Sequence, residues 1–284
     1  MRYEAPSTVA AAAALLAEPG ARALAGGSDL LVQMKSGLAE PEIIVDLKRI
    51  AALNGIRETA EGFTIGAAVS GAALREAKAL RAAWPGLIDG SKLIGSTQIQ
   101  GRATIAGNLC NASPAADSVP AMAACGAVAI VTGPKGSRTV PVEDIPTGPG
   151  KTSLQKGELV EAIRLPKPAP RTGSAYLRFT PRTEMDIAVA SVGIALTLDE
   201  GGTVTAAKVV LGAVGPKIII PEAAARALIG TKADAAALDA LAAACSAAAT
   251  PIDDKRGTRE FRQKVVGVLA RRAAEKAIER AKGK

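Results

Sequence analysis

Histidine is absent from all 284 residues, which removes the usual general base of Ser-His-Asp and Cys-His chemistry and the commonest ligand for zinc or non-haem iron. Redox or bond-making chemistry therefore falls to a bound cofactor. Cysteine is scarce: Cys110, Cys125 and Cys245 are widely spaced, odd in number and form no C-x-x-C pair, so neither a disulfide framework nor a metal site is signalled. A 2Fe–2S centre takes four thiolates, which this chain cannot supply alone. One Trp, two Tyr and three Phe leave little with which to stack nucleic-acid bases. No apolar run reaches the roughly 18 to 20 residues that span a bilayer. The longest near the start, Val9–Leu16, lacks the basic flank and cleavage signal of a secretory peptide. These absences predict a cytoplasmic protein with no membrane span and no nucleic-acid partner.

What is present suits a globular chain: 48% of residues are hydrophobic and 22% charged, enough for two domains, each with its own core. The net charge of +8 is uneven, because residues 255–284 hold eleven Lys or Arg against three Glu, whereas the rest balances at 24 against 24. That stretch reads first as a solvated helix face, next as a docking surface for an acidic partner subunit, and last as a nucleic-acid contact, which so few aromatics support little.

Along the chain, Ser7 is placed to cap a helix through Leu16, Pro19 and Gly20 break it, and residues 22–25 form a short strand. Residues 42–47 and 62–69 read as strands, and Ser70 as the cap of a helix to about residue 81. The polar, Gly-punctuated stretch 97–114 reads as a long functional loop. Residues 115–125 follow as a helix kinked or broken at Pro120, then a hairpin of 127–132 with 138–140, and a strand at 158–165. Pro166, Pro168 and Pro170 make a stiff linker and the expected domain boundary. Beyond it, strands at 175–179, 187–198 and 203–214 precede helices at 223–228, 233–248 and 258–281, an α+β order.

Two segments carry the functional signal. Ala25-Gly26-Gly27-Ser28-Asp29-Leu30-Leu31 joins a strand to an apolar helix, and its paired glycines let backbone N–H groups approach an anion. Taken alone, such a turn is structural as readily as phosphate-binding, and it matches neither the G-x-G-x-x-G nor the Walker pattern. The second segment, Thr104-Ile105-Ala106-Gly107-Asn108, followed by Ala112-Ser113-Pro114 and Asp117, is more specific.

Together these motifs resemble the A-G-G-x-x-L loop and the T-I-G-G-N segment of the FAD-binding medium subunits of molybdenum hydroxylases, the xanthine dehydrogenase and carbon monoxide dehydrogenase type. Tyr176 to Arg182 with Met185-Asp186-Ile187-Ala188, and Phe261-Arg262-Gln263-Lys264-Val265, resemble further parts of the same family. The resemblance implies a two-subdomain FAD-binding domain of the PCMH/VAO type over 1–170 (subdomains about 1–55 and 56–170). A C-terminal domain, 171–284, would follow with a three-stranded antiparallel sheet and a helix bundle. It assigns Ala25, Gly26, Gly27, Ser28, Asp29 and Leu30 to one FAD loop and Thr104, Ala106, Gly107 and Asn108 to the other. Asp117 would reach the nucleotide half of FAD, Ile94 and Val160 would pack near the isoalloxazine, and Arg178 would supply a cation there.

One departure stands out: Ala106 replaces the usual first Gly of G-G-N and tolerates positive φ poorly, so that position needs ordinary dihedrals or an altered loop. Three scattered cysteines also exclude the iron–sulfur insertion of the 4-hydroxybenzoyl-CoA reductase branch.

The implied function is electron transfer. FAD would accept electrons from 2Fe–2S clusters of a small subunit, which drains a large molybdopterin-binding subunit, and pass them to an external acceptor. The expected assembly is a dimer of such heterotrimers, docked through loop 111–119 and the basic C-terminal helix. No catalytic side chain is expected in this chain. The competing reading is a free-standing FAD-dependent oxidoreductase with its own substrate. The substrate of the assembly and the terminal acceptor, whether NAD, a quinone, oxygen or a carrier protein, have no signature in these residues.

Overall fold

In the computed structural model of the protein, which describes residues 1–283, the chain opens with three short strands: β1 (Arg2–Glu4), β2 (Ala21–Leu24) and β3 (Ile43–Asp46). They pair in parallel in the order β1-β3-β2. Parallel neighbours need crossovers, which helices α1 (Val9–Leu16) and α2 (Leu30–Lys35) supply. The cap of α1 is Thr8, whose hydroxyl accepts from the Ala11 amide, one residue after the expected Ser7. The central strand β3 is buried throughout, as a strand flanked on both sides should be. Its Ile43 and Val45 form a first core with Ala12, Ala13, Ile50 and Leu53.

A five-stranded antiparallel sheet follows. It combines β4 (Ile56–Thr59), β5 (Gly62–Gly66), β6 (Val128–Gly133), β7 (Gly136–Pro141) and β10 (Leu159–Pro166) in the order β4-β5-β10-β6-β7, with β8 (Pro146–Gly148) and β9 (Lys151–Thr152) as a separate small hairpin. Between β5 and β6 run six helices: α3 (Gly71–Glu76), α4 (Lys78–Ala83), α5 (Pro85–Ser91), α6 (Thr97–Gln100), α7 (Ile105–Cys110) and α8 (Ser118–Ala124). Ser70 caps α3 as expected, but the helix expected to reach residue 81 breaks at Ala77. Leu74 and Leu80 are both fully buried in one core. Six residues of continuous helix would set them roughly 240° apart, and the break turns both inward.

The stretch 97–114 is not an open loop, since Ser96 caps α6 and Thr104 caps α7. Pro120 causes no kink either: it is the third residue of α8, within the first turn, where a missing N–H costs nothing.

The C-terminal part is a three-stranded antiparallel sheet, β11 (Thr172–Phe179), β12 (Ala190–Leu198) and β13 (Val204–Gly212), with helices α9 (Glu222–Leu228), α10 (Ala235–Ala248) and α11 (Arg259–Ala281). The expected α+β order holds, although β12 starts at Ala190, later than the pattern indicated. Helix α11 buries Ala270, Ala273, Ala274, Ala277 and Ala281 along one stripe, and this smooth face lets it lie very close to β11. A Cβ on Gly173 would sit 2.0 Å from the Ala277 carbonyl oxygen. The other face of the sheet receives α8, where a Cβ on Gly193 would sit 2.4 Å from the Pro120 carbonyl oxygen. The sheet is therefore clamped between its own helices and the N-terminal half. No helix among the described residues is long and apolar enough to cross a membrane.

Six of the ten described basic residues of the stretch are paired within the chain. Arg256 and Arg262 meet Asp254, Arg259 meets Asp253, Arg271 meets Asp239 and Glu275, and Lys276 and Arg280 meet Asp89 on α5. Asp89 is buried, with Arg280 at 2.6 Å and Lys276 and Lys92 at 3.3 Å. Burial pushes its carboxyl up, but Arg280, Lys276 and Lys92 overcome that and hold it below the ordinary value. A carboxyl held low when folded contributes stability above its unfolded pKa of about 3.9, and that contribution is lost as pH falls through the folded value. Asp89→Asn should thus lower stability by about 2 kcal/mol at pH 7. The gap to wild type should shrink steadily below about pH 4 in urea denaturation; a gap independent of pH would rule this out.

Candidate functional site

The loop leaving β2 and the N-terminus of α7 face one cavity of about 480 Å³, within the roughly 300–1,000 Å³ usual for ligand sites. Their juxtaposition rests on glycine. A Cβ on Gly26 would lie 2.2 Å from the Arg102 carbonyl oxygen, so the two loops touch backbone to backbone. Gly27 has φ +79°, a left-handed conformation that L side chains adopt only with strain. Lys48 Nζ donates to the Ala25 carbonyl at 3.2 Å and to Asp46 at 2.6 Å, fixing the start of the loop. Burial pushes the Asp46 carboxyl up, yet bonds from Lys48 and Tyr3 outweigh this and hold it low.

On the second loop, the Thr104 hydroxyl accepts from the Gly107 amide at 2.9 Å. Ala106 is the second residue of α7 and takes no positive φ, so alanine fits there without altering the turn. Asn108 Oδ1 accepts from the Ser118 hydroxyl at 2.7 Å, which ties α7 to α8. Asn111 bridges the loops: its Nδ2 donates to Asp29 at 3.1 Å and its Oδ1 accepts from Gln33 at 3.0 Å. Asp29 therefore bonds across to the second loop instead of capping α2 with its side chain, and burial raises its pKa.

Among the described residues, the backbone N–H groups of Gly27, Ser28, Asp29 and Leu30, and of Ile105 and Ala106, donate to no protein acceptor. Such groups at Gly turns and helix starts bind anions. Leu24, Leu47, Ala67, Ile94, Leu154 and Val160 give the cavity apolar walls. Unpaired donors from two loops beside apolar walls suit a pyrophosphate joined to flat ring systems, and so fit FAD.

The cavity lining includes Ala25, Gly26, Gly27, Ser28, Asp29, Leu30, Ile94, Thr104, Ala106, Gly107, Asn108 and Val160. Asp117 and Arg178 are not among the lining residues. Asp117 is buried and the side chain of the partly buried Arg178 is largely covered; the two pair at 2.5 Å, and the other Asp117 oxygen accepts from the Tyr176 hydroxyl at 2.7 Å. Burial raises the Asp117 carboxyl to about 6, against the pull of Arg178 and Tyr176. Sequence reasoning missed the bridging Asn111 and Gln33, and the wall from Thr152 to Gly157. No local pattern marks a bond across 78 residues or a turn that merely closes a cavity. Cys110 also lines the cavity, its thiol pushed up to about 12 by burial.

Residues 1–168 match the family described as FAD binding domain in molybdopterin dehydrogenase, and residues 175–277 match the CO dehydrogenase flavoprotein C-terminal domain. The chain is 40% identical over 282 residues to the carbon monoxide dehydrogenase medium chain of Afipia carboxidovorans, spanning 99% of this chain and 97% of that one. It is 30% identical over 285 residues to the xanthine dehydrogenase FAD-binding subunit of Escherichia coli O157:H7, spanning 99% and 97%. Among solved structures it is similar to a chain of the cyanide-inactivated Cu,Mo-CO dehydrogenase, with TM-score 0.94, 39% identity and coverage of 99% and 98%. A chain of quinoline 2-oxidoreductase from Pseudomonas putida 86 is similar at TM-score 0.92 and 26% identity, with coverage of 99% and 98%.

Gly26→Ala and Gly27→Val should each weaken FAD binding roughly tenfold or more, the first by parting the loops and the second by backbone strain. Cys110→Ser should leave it near wild type. Flavin-to-protein ratio after gel filtration, with far-UV circular dichroism as the folding control, measures this; full flavin content in both glycine variants would remove the loops from the site.

Proposed function

Because this chain belongs to the family of FAD-binding medium subunits of molybdenum hydroxylases, we propose that it relays electrons from the 2Fe–2S clusters of a small partner subunit to an external acceptor. The redox chemistry is that of bound FAD, which can take electrons from a one-electron donor and hand them on. The observation that carries the reading is the set of unpaired N–H groups on two loops facing one cavity.

The residues of this chain bind and orient. Gly27, Ser28, Asp29 and Leu30 offer backbone donors to one side of a pyrophosphate, and Ala106 offers one to the other. Ile94 and Val160 are positioned to exclude water from the isoalloxazine. Arg178 would act from behind that wall, and Asp117 through its bond to Arg178. We take 1–170 as the FAD-binding domain, with subdomains of about 1–55 and 56–170, and 171–284 as the C-terminal domain. Support comes from three separate hydrophobic cores whose members fall mainly within these spans.

The electron donor must lie in another chain. Among the described residues no group of His, Cys, Asp or Glu could hold a metal ion. A large molybdopterin-binding subunit and a small 2Fe–2S subunit complete the proposed enzyme, as a cytoplasmic dimer of heterotrimers. The docking surfaces expected from sequence need revision. Ala116, Asp117, Ser118 and Val119 are buried, and most charges of α11 are paired within the chain. What loop 111–119 leaves for a partner is the partly exposed stretch from Ser113 to Ala115.

Two measurements test the proposal. Acid should release FAD and not FMN from the purified chain, since FMN has no pyrophosphate. Aldehyde or aromatic substrates should leave the flavin of the lone subunit oxidised, and bleach it only after co-expression with molybdopterin and 2Fe–2S subunits. Direct reduction of the flavin in the monomeric chain, with no metal present, would favour the free-standing oxidoreductase.

A further inference from the structure

Tyr176 and Arg178 lie two residues apart on β11, so their side chains leave the same face of the strand. Both reach out of the C-terminal sheet into the N-terminal half. The Tyr176 hydroxyl donates to Asp117 Oδ1 at 2.7 Å, and Arg178 Nη1 donates to Asp117 Oδ2 at 2.5 Å and to the Leu93 carbonyl at 3.2 Å. Leu93 directly precedes Ile94, a wall of the cavity. We propose that Tyr176 is a positioning residue of the flavin site: by orienting Asp117 it directs Arg178 onto the Leu93 carbonyl, and so sets Ile94 against the bound ring system. This rests on the FAD reading above.

Tyr176 is itself 1% exposed and does not line the cavity, so it acts only through its neighbours. Without its hydroxyl, one oxygen of a buried carboxylate would be unpaired, at the cost that attends any unsatisfied buried acceptor. Asp117 would then rotate to take a second donor from Arg178, whose Nη1 would leave the Leu93 carbonyl. The C-terminal sheet would thereby set the flavin wall without touching the flavin.

The test uses the full chain stripped of flavin and titrated with FAD and, separately, with ADP. ADP carries the adenine, ribose and pyrophosphate but no isoalloxazine, so it reports on the two loops alone. Tyr176→Phe should weaken FAD roughly tenfold, as expected for a lost bond to a charged group, and leave ADP within about twofold of wild type. The visible circular dichroism of the bound flavin should change shape, and Asp117→Asn should reproduce both effects. Asp117→Asn decides alone should Tyr176→Phe fail to fold. Unchanged FAD affinity and flavin spectrum, or equal loss of FAD and ADP in folded protein, would reduce Tyr176 to a packing residue. A wild-type chain that binds no FAD would overturn the function as well, which separates the two failures.

Discussion

The backbone of Gly26 and the carbonyl of Arg102 stand so close that a single methyl group would part them. On that contact the site depends. One loop ends a strand of the small parallel sheet, the other begins a helix beneath the five-stranded sheet, and neither alone presents enough donors to surround a pyrophosphate. Where the loops meet, unpaired donors from both sides open onto one cavity. The Asn111 bridge to Asp29 and Gln33 and the Lys48 bond to Ala25 keep the first loop from drifting away.

The C-terminal sheet shapes the same region from behind. Gly193 admits the backbone of α8, and Gly173 admits that of α11, so the sheet is held on both faces at contact distance. Arg280 and Lys276 close on Asp89 from the far end of the chain. The outcome is a single packed body in which residues of the last helix neutralise a carboxylate on α5. Lys255, Lys264, Arg272 and Lys282 of the same basic stretch are in no ion pair among the described residues.

Sequence made the loops legible because glycines and caps act locally: Ala25 to Leu30 and Thr104 to Asn108 carry their geometry in their own residue types. It made the C-terminal strands legible because alternation over β11, β12 and β13 is a local pattern. Other features were hidden because their causes are distant. Helix α4 separates from α3 only because Leu74 and Leu80 share one core. Asp117 and Arg178 pair across 61 residues and so look, in sequence, like two independent ligands of a cofactor. Pro120 looked like a kink because the start of α8 was placed three residues early, and that start is set by tertiary packing more than by any capping signal.

Apart from Arg22 and Lys156 on the cavity lining, the cradle is built from the peptide groups of the two loops. Peptide dipoles carry no net charge for salt to screen in the manner of an exposed ion pair, and a backbone amide has no proton to lose over the physiological range. Such a grip is short-ranged: it does little to draw the cofactor in from solution and much to keep it once seated. Raised ionic strength should therefore weaken any pull from Arg22 and Lys156 more than it weakens the hold of the peptide donors.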